Sequence, residues 1–189
     1  MPTVNRPLTM DELLRPTMLC PHSNLPPKQR EALLSFKKTV LDALEQYQQT
    51  VGVNTILAVL MDGAGSKNLI FYQPLPPPLA TNRDPHALMA QTLQHVANLN
   101  LKLYPVLQTE QPVIDDFMKV VADAFEVCAQ TLERTTILAL HAEYAANLNL
   151  QALKSFNIPD NDQRVMIAEA LQKIANLNRQ AHVQEFPDS

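Results

Sequence analysis

Residues 112–159 read PVIDDFMKVVADAFEVCAQTLERTTILALHAEYAANLNLQALKSFNIP, and this stretch decides the fold class. Between Pro112 and Pro159 the chain has no other proline and no glycine, and most residues favour helix. We expect a helical spine against which the other helices pack. An unbroken helix of about 45 residues would be about 68 Å long, whereas a compact chain of this length is roughly 40 Å across. A break is therefore predicted at the β-branched residues within Arg134–Ile137.

Three further segments have apolar residues spaced by three and four positions, which is typical of an amphipathic helix. They cover about 26–49, 84–104 and 160–184. The first two open with proline, which is favoured in the first helical turn. The sequence thus predicts a mainly α fold, an irregular helical bundle of four to six helices.

One segment has a different pattern and predicts a β-hairpin inserted after the first long helix, at about 53–73. Val53–Met61 is apolar and contains three β-branched aliphatic residues, Asp62–Ser66 is rich in turn residues, and Leu69–Tyr72 is apolar again. Gly63–Lys67 resembles part of a phosphate-binding loop, but the earlier glycine of that motif is missing. We interpret it as a plain hairpin turn.

The first 27 residues hold six of the fifteen prolines and form a predicted N-terminal arm. The arm either packs along its own domain or docks into a partner, through Met10, Leu13 and Leu14. Residues 28–189 are expected to form a single helical domain. Within that domain, residues 74–79 form a polyproline strap.

The tetrapeptide Ala-Asn-Leu-Asn occurs three times, at 97–100, 146–149 and 175–178. The unequal spacing excludes a regular solenoid. Leu99 and Leu177 fall on the apolar stripes of their helices, so the leucine is expected in the core with asparagines at its boundary. There the amides either bond a neighbouring helix or contact a partner. The asparagines assigned to a partner surface are Asn98, Asn147, Asn149 and Asn176.

Composition and charge argue against several functions. The 189 residues carry a net charge of −4 with a pI near 5.7, which disfavours nucleic-acid binding because that binding depends on Lys and Arg. No apolar run is long enough for a membrane helix or suited to a signal peptide. We expect a cytoplasmic protein that binds no membrane, although secretion without a signal would leave no trace in the sequence. Cys20 and Cys128 are expected to be free thiols.

Catalytic and metal-binding motifs are incomplete. His141-Ala142-Glu143 matches the start of a zinc-deaminase signature, but the cysteine pair of that signature is missing. We therefore expect no cofactor and no metal. The sequence favours a non-enzymatic protein–protein interaction module (an adaptor, chaperone-like factor or assembly factor) that binds another protein or itself through helical faces and the arm. The alternative is a helical small-ligand-binding protein or weak hydrolase with a pocket near His95, His141 and Glu143.

Overall fold

The computed structural model describes residues 25–72 and 85–182, and the structural statements below concern these residues. They form a short 3-10 helix and six α-helices. The 3-10 helix covers Gln108–Glu110, and the α-helices are α1 (Pro27–Tyr47), α2 (Val53–Tyr72), α3 (Pro85–Lys102), α4 (Gln111–Cys128), α5 (Arg134–Ser155) and α6 (Gln163–His182). None of these helices is long and apolar enough to cross a membrane. The predicted strap at 74–79 and most of the predicted arm lie outside the described residues.

The mainly α prediction is confirmed, but the β-hairpin predicted at about 53–73 is wrong. The described part of the chain contains no strand, and this segment is the single helix α2. An apolar run predicts a buried strand or a buried helix equally well, because periodicity disappears when every side is covered. Helix α2 is such a case, since every residue from Ile56 to Met61 is buried.

Gly63 and Gly65, which we interpreted as turn residues, lie inside α2 where other helices come close. A Cβ atom on Gly65 would lie 2.6 Å from Oε1 and 3.4 Å from Cα of Gln94 in α3. A Cβ atom on Gly63 would meet the terminal methyl group of Met118 in α4. Neither glycine has a positive φ. The glycines therefore serve close helix packing, and Gly63–Lys67 is neither a turn nor a phosphate-binding loop.

The predicted spine is broken, as expected, but a few residues earlier than expected. Helix α4 ends at Cys128 and α5 begins at Arg134. The β-branched residues Thr135–Ile137 form the first turn of α5 instead of the break itself. The residues between the two helices, 129–133, include the buried Leu132, which anchors the link to the core.

The helices pack as three layers of two. Helices α2 and α5 form the middle layer, with α1 and α4 on one side and α3 and α6 on the other. Sixteen of the 22 residues of α5 are buried, so α5 rather than α4 is the helix on which the others pack. Helices α1 and α4 are antiparallel, because the ring of Phe36 meets that of Phe125 while Tyr47 meets Phe117.

The layers arise because the chain contains the same three-helix unit twice: a first half (α1–α3) and a second half (α4–α6). With a shift of 81 residues, residues 36–50 match 117–131 at eight of fifteen positions, and 55–69 match 136–150 at seven of fifteen. With a shift of 78, LQHVANLN at 93–100 matches LQKIANLN at 171–178 at six of eight.

Each layer therefore pairs a helix with its own equivalent. Helices α2 and α5 are antiparallel, because Asn149 of α5 contacts Leu57 of α2 while Asn68 of α2 contacts Leu138 of α5. Helix α3 is antiparallel to α2 and α6 is antiparallel to α5, so α3 and α6 are antiparallel as well. The halves are thus related by a two-fold axis perpendicular to the helices. The repeated tetrapeptide is one part of this larger repeat, which the sequence analysis missed.

Candidate functional site

The repeated tetrapeptide turns its first and last residues inward, because residues three apart lie on the same face of a helix. The last asparagine is at most 5% exposed in every copy. The buried pairs are Ala97 and Asn100 in α3, Ala146 and Asn149 in α5, and Ala175 and Asn178 in α6. Helix α2 has the same arrangement in Gly65 and Asn68. Each helix of the middle layer and of the layer formed by α3 and α6 thus carries a small residue followed, three positions later, by a buried asparagine.

The leucine of the tetrapeptide was expected in the core, and in the outer layer that expectation is wrong. Leu99 is 40% exposed and Leu177 is 53% exposed, whereas Leu148 is 1% exposed. The difference follows from the layers. Helix α5 is covered on both sides, but α3 and α6 are covered on one side only, and that side is occupied by the alanine and the last asparagine.

Asn149 is the centre of one buried polar cluster. Its Nδ2 donates hydrogen bonds to the carbonyl oxygens of Leu57 in α2 and Ala145 in α5, both at 2.9 Å. Its Oδ1 accepts a hydrogen bond from Nδ2 of Asn100 in α3 at 3.2 Å. The side chain therefore joins three helices.

Asn68 makes the equivalent contacts from the first half. Its Nδ2 donates to the carbonyl oxygens of Leu138 in α5 at 3.2 Å and Ala64 in α2 at 3.1 Å. Its Oδ1 accepts from Nδ2 of Asn178 in α6 at a longer 3.5 Å. Both carbonyl acceptors are related by the 81-residue shift to those that Asn149 uses. The whole cluster, which we call the asparagine network, therefore follows the two-fold axis.

The asparagine network has a structural role, which is to fix how the helices align. An amide buried without partners costs about 1–3 kcal/mol, and the partners here are available in one alignment of the helices only. A slide of α2 along α5 would remove the carbonyl group that each amide reaches on the opposite helix and would leave only the carbonyl of its own helix. The network therefore selects register and neighbours, as single buried asparagines do in coiled coils.

The four asparagines predicted to contact a partner occupy different environments. Asn149 lies inside the network. Asn147 is half-buried, and its Oδ1 accepts a hydrogen bond from Nε2 of Gln172 at 2.9 Å. Asn98 is exposed and Asn176 is half-buried. The arm residues predicted for the same role lie outside the described residues; they are Met10, Leu13 and Leu14. Partner binding by these residues stays a prediction.

The residues of the alternative pocket face different directions. His95 is exposed on the outer side of α3. His141 points from α5 toward α1 and α4, where its ring lies 5.2 Å from that of Phe36. Glu143 points from α5 to α6, where it pairs with Arg179. The structure therefore does not bring the three side chains together.

His141 is a buried neutral histidine. It is 1% exposed and packs between the rings of Phe36 and Phe125, and Nδ1 has no hydrogen-bond partner among the described residues. Burial, with a smaller contribution from the charge of Lys67, lowers the pKa of His141 to about 3. The equivalent residue of the first half is the buried Leu60. An apolar side chain thus fits this environment.

Four large apolar side chains are exposed at equivalent positions on the outer layer. Leu88 and Leu99 of α3 are 42% and 40% exposed, and their equivalents Met166 and Leu177 of α6 are 58% and 53% exposed. Residues eleven positions apart differ by about 20° around a helix, so each pair forms one line opposite the buried face. We call these four residues the outer stripe. Comparing the halves with each other would have shown in the sequence that these positions are apolar in both.

A groove of ≈ 700 Å³ runs beside the α6 part of the outer stripe, between α5 and α6. Met166 and Leu177 line it together with Leu150, and the charged side chains of Glu169, Lys173 and Lys154 also line it. The surface therefore combines apolar and charged side chains, as protein-binding faces do.

The residues that the structure describes offer neither a group of metal-binding side chains nor a reactive thiol. Among them, no three His, Cys, Asp or Glu side chains form a group that could hold a metal ion. Cys128 is a buried free thiol, and burial raises its pKa to about 11. Such a thiol is a poor nucleophile at neutral pH.

Comparison of the chain with protein families, with curated proteins and with solved structures finds no match. Function is therefore argued from the residues themselves.

We expect Asn149→Ala to lower the free energy of unfolding by about 2–4 kcal/mol, because it removes the partners of Leu57 and Asn100 at once. By the two-fold axis, Asn68→Ala should cost a similar amount. Urea unfolding measures both. Asn98→Ala is the matched control at an exposed position and should change stability by less than about 0.5 kcal/mol. Equal effects at positions 98 and 149 would contradict a structural role for the network.

The His141→Leu variant should lose part of the pH dependence of stability. In the folded protein the pKa of His141 is about 3, against about 6.5 when unfolded. Below pH 6.5 the unfolded chain therefore binds a proton that the folded chain does not, and the fold loses about 1.4 kcal/mol between pH 7.5 and 5.5. Urea unfolding at the two pH values measures this loss. A loss in His141→Leu equal to that of the wild type would show that His141 is accessible to protons; His95→Gln, at an exposed position, is the control.

Proposed function

We propose that this chain is a non-catalytic protein-binding module, an adaptor or assembly factor, whose docking surface is the outer face of α3 and α6. The observation that carries the proposal is the outer stripe. Four large apolar side chains, each at least 40% exposed, stand on one side of the molecule. Large apolar side chains exposed together on one face of a folded domain are typical of a surface that another protein covers.

The two halves provide an internal comparison that supports the proposal. Around the stripe, exposed positions of α3 and α6 have diverged, with Thr92 against Ala170 and His95 against Lys173. The stripe positions have stayed apolar in both halves, although the side chains at these positions are not part of the core. Exposure to water does not favour a large apolar side chain at the same position of both halves, whereas contact with a partner does.

The asparagine network supports the same proposal indirectly. It fixes α3 and α6 to the middle layer through Asn100 and Asn178. The outer face is thus presented on rigid helices instead of loops, which limits the entropy lost on binding. Asn98 and Asn176, each next to a leucine of the stripe, are the polar groups that a partner would meet first. The arm remains a second proposed contact, through Met10, Leu13 and Leu14.

The test uses Leu99→Glu combined with Leu177→Glu. Immobilised wild-type protein and this variant are incubated with extract from the native source, and captured proteins are quantified by mass spectrometry. We expect the variant to lose specific partners while its melting temperature stays close to that of the wild type, because both side chains are already exposed.

Leu34→Glu in α1 is the matched control, since Leu34 is 39% exposed but lies in the opposite outer layer. It should keep the partners. Capture of the same proteins by all three forms would reject the outer face as the docking surface.

A further inference from the structure

We infer that the occupant of the outer stripe is a second copy of this chain. This inference rests on the proposed docking face and names its partner. Helices α3 and α6 are antiparallel and present equivalent side chains, so the face has two-fold symmetry of its own. A single partner that contacts both helices through the same groups must itself be two-fold symmetric. The outer face of a second copy meets that condition.

Helix α6 carries a self-complementary series along its exposed side. Met166 and Leu177 lie at the ends, with the exposed charges of Glu169 and Lys173 between them. When two such helices pack antiparallel about a two-fold axis, Met166 of each copy lies opposite Leu177 of the other. The same register brings Glu169 of each copy within one residue of Lys173 of the other. Two ion pairs then lie between the two Met166–Leu177 contacts and select this register.

Close approach of the two helices is sterically feasible at the centre of the series. Ala170 is exposed and lies between Glu169 and Lys173 on the same side of α6. A small side chain there lets the helix backbones come together, as in other helix–helix contacts. On α3, Leu88 and Leu99 add apolar area beside this contact.

The proposed contact closes on itself. Each copy uses the same surface, so every contact is made twice and assembly stops at two copies. The α1 and α4 side of each copy stays exposed in such a dimer. The assembly is thus a dimer with its two free faces directed away from each other, and not an open filament.

Sedimentation equilibrium of the purified full chain tests the inference. We expect a concentration-dependent dimer in the wild type and a monomer in the variant carrying both Leu99→Glu and Leu177→Glu. Circular dichroism confirms that the variant is folded.

A charge series at exposed positions gives a second measurement that does not depend on that variant. Glu169→Lys alone, or Lys173→Glu alone, places like charges opposite each other and should weaken the dimer at least about tenfold. The double variant Glu169→Lys/Lys173→Glu restores opposite charges and should recover the affinity to within about threefold of the wild type.

Three results would overturn the inference: a monomeric wild type, a dimer that persists in the Leu99→Glu/Leu177→Glu variant, or a double charge variant no tighter than the single ones. A monomeric wild type whose capture of other proteins still depends on Leu99 and Leu177 would overturn the second copy as occupant and leave the docking face standing. If the Leu99→Glu/Leu177→Glu variant both remained a dimer and captured the same proteins as the wild type, both proposals would be overturned.

Discussion

The structure depends on the hydrogen bonds that the amide nitrogens of four buried asparagines donate inside an apolar core. Asn68 and Asn149 reach the backbone of the opposite helix in the middle layer, and Asn178 and Asn100 reach them from the outer layer. A single intramolecular hydrogen bond contributes only about 1 kcal/mol to stability. The network matters more through the registers that it disfavours, because another register would bury Asn68 and Asn149 without their hydrogen bonds to the opposite helix. A glycine or alanine three residues before each asparagine lets the helices approach closely enough for these bonds.

The two-fold axis constrains the packing but leaves individual side chains free to differ. In one half Met118 lies over Gly63. At the equivalent place in the other half, Nζ of Lys37 lies 5.1 Å from the centre of the Tyr144 ring, and the Tyr144 hydroxyl donates to the carbonyl oxygen of Lys37 at 3.4 Å. The contact between Gly63 and the Met118 side chain in one half is thus replaced in the other half by a cation–π contact between Tyr144 and Lys37. The shared contact preserves the helix spacing while its chemistry changes.

Much of the helical content could be predicted from the sequence, and the errors have identifiable causes. Amphipathic helices such as α1 were visible because one face meets water. Helix α2 was mistaken for a hairpin because it is covered on nearly all sides and its two interior glycines, Gly63 and Gly65, serve packing. Leu99 and Leu177 were placed in the core because spacing shows which residues share a face, not which face the neighbouring layer covers.

The candidate site was within reach of the sequence but was not found there. The tetrapeptide was noticed, while the longer match between residues 55–69 and 136–150 was not. That match distinguishes the two asparagines of the tetrapeptide. It aligns the last one, Asn149, with Asn68 of α2, a helix that lacks the tetrapeptide, and it aligns the first one, Asn147, with a serine. Which asparagine faces inward could not have been known without the layer order, because Asn98 and Asn100 lie at similar angles from the central leucine.

Hydrogen exchange of the asparagine side-chain amides, followed by NMR, tests the network most directly. Amides that are buried and bonded exchange only when the structure opens. We predict slow and similar exchange for Nδ2 of Asn68 and Asn149, and rapid exchange for the exposed Asn98. Exchange at Asn68 and Asn149 as rapid as at Asn98 would show that these amides are not held between the helices, and would contradict the structural role of the network.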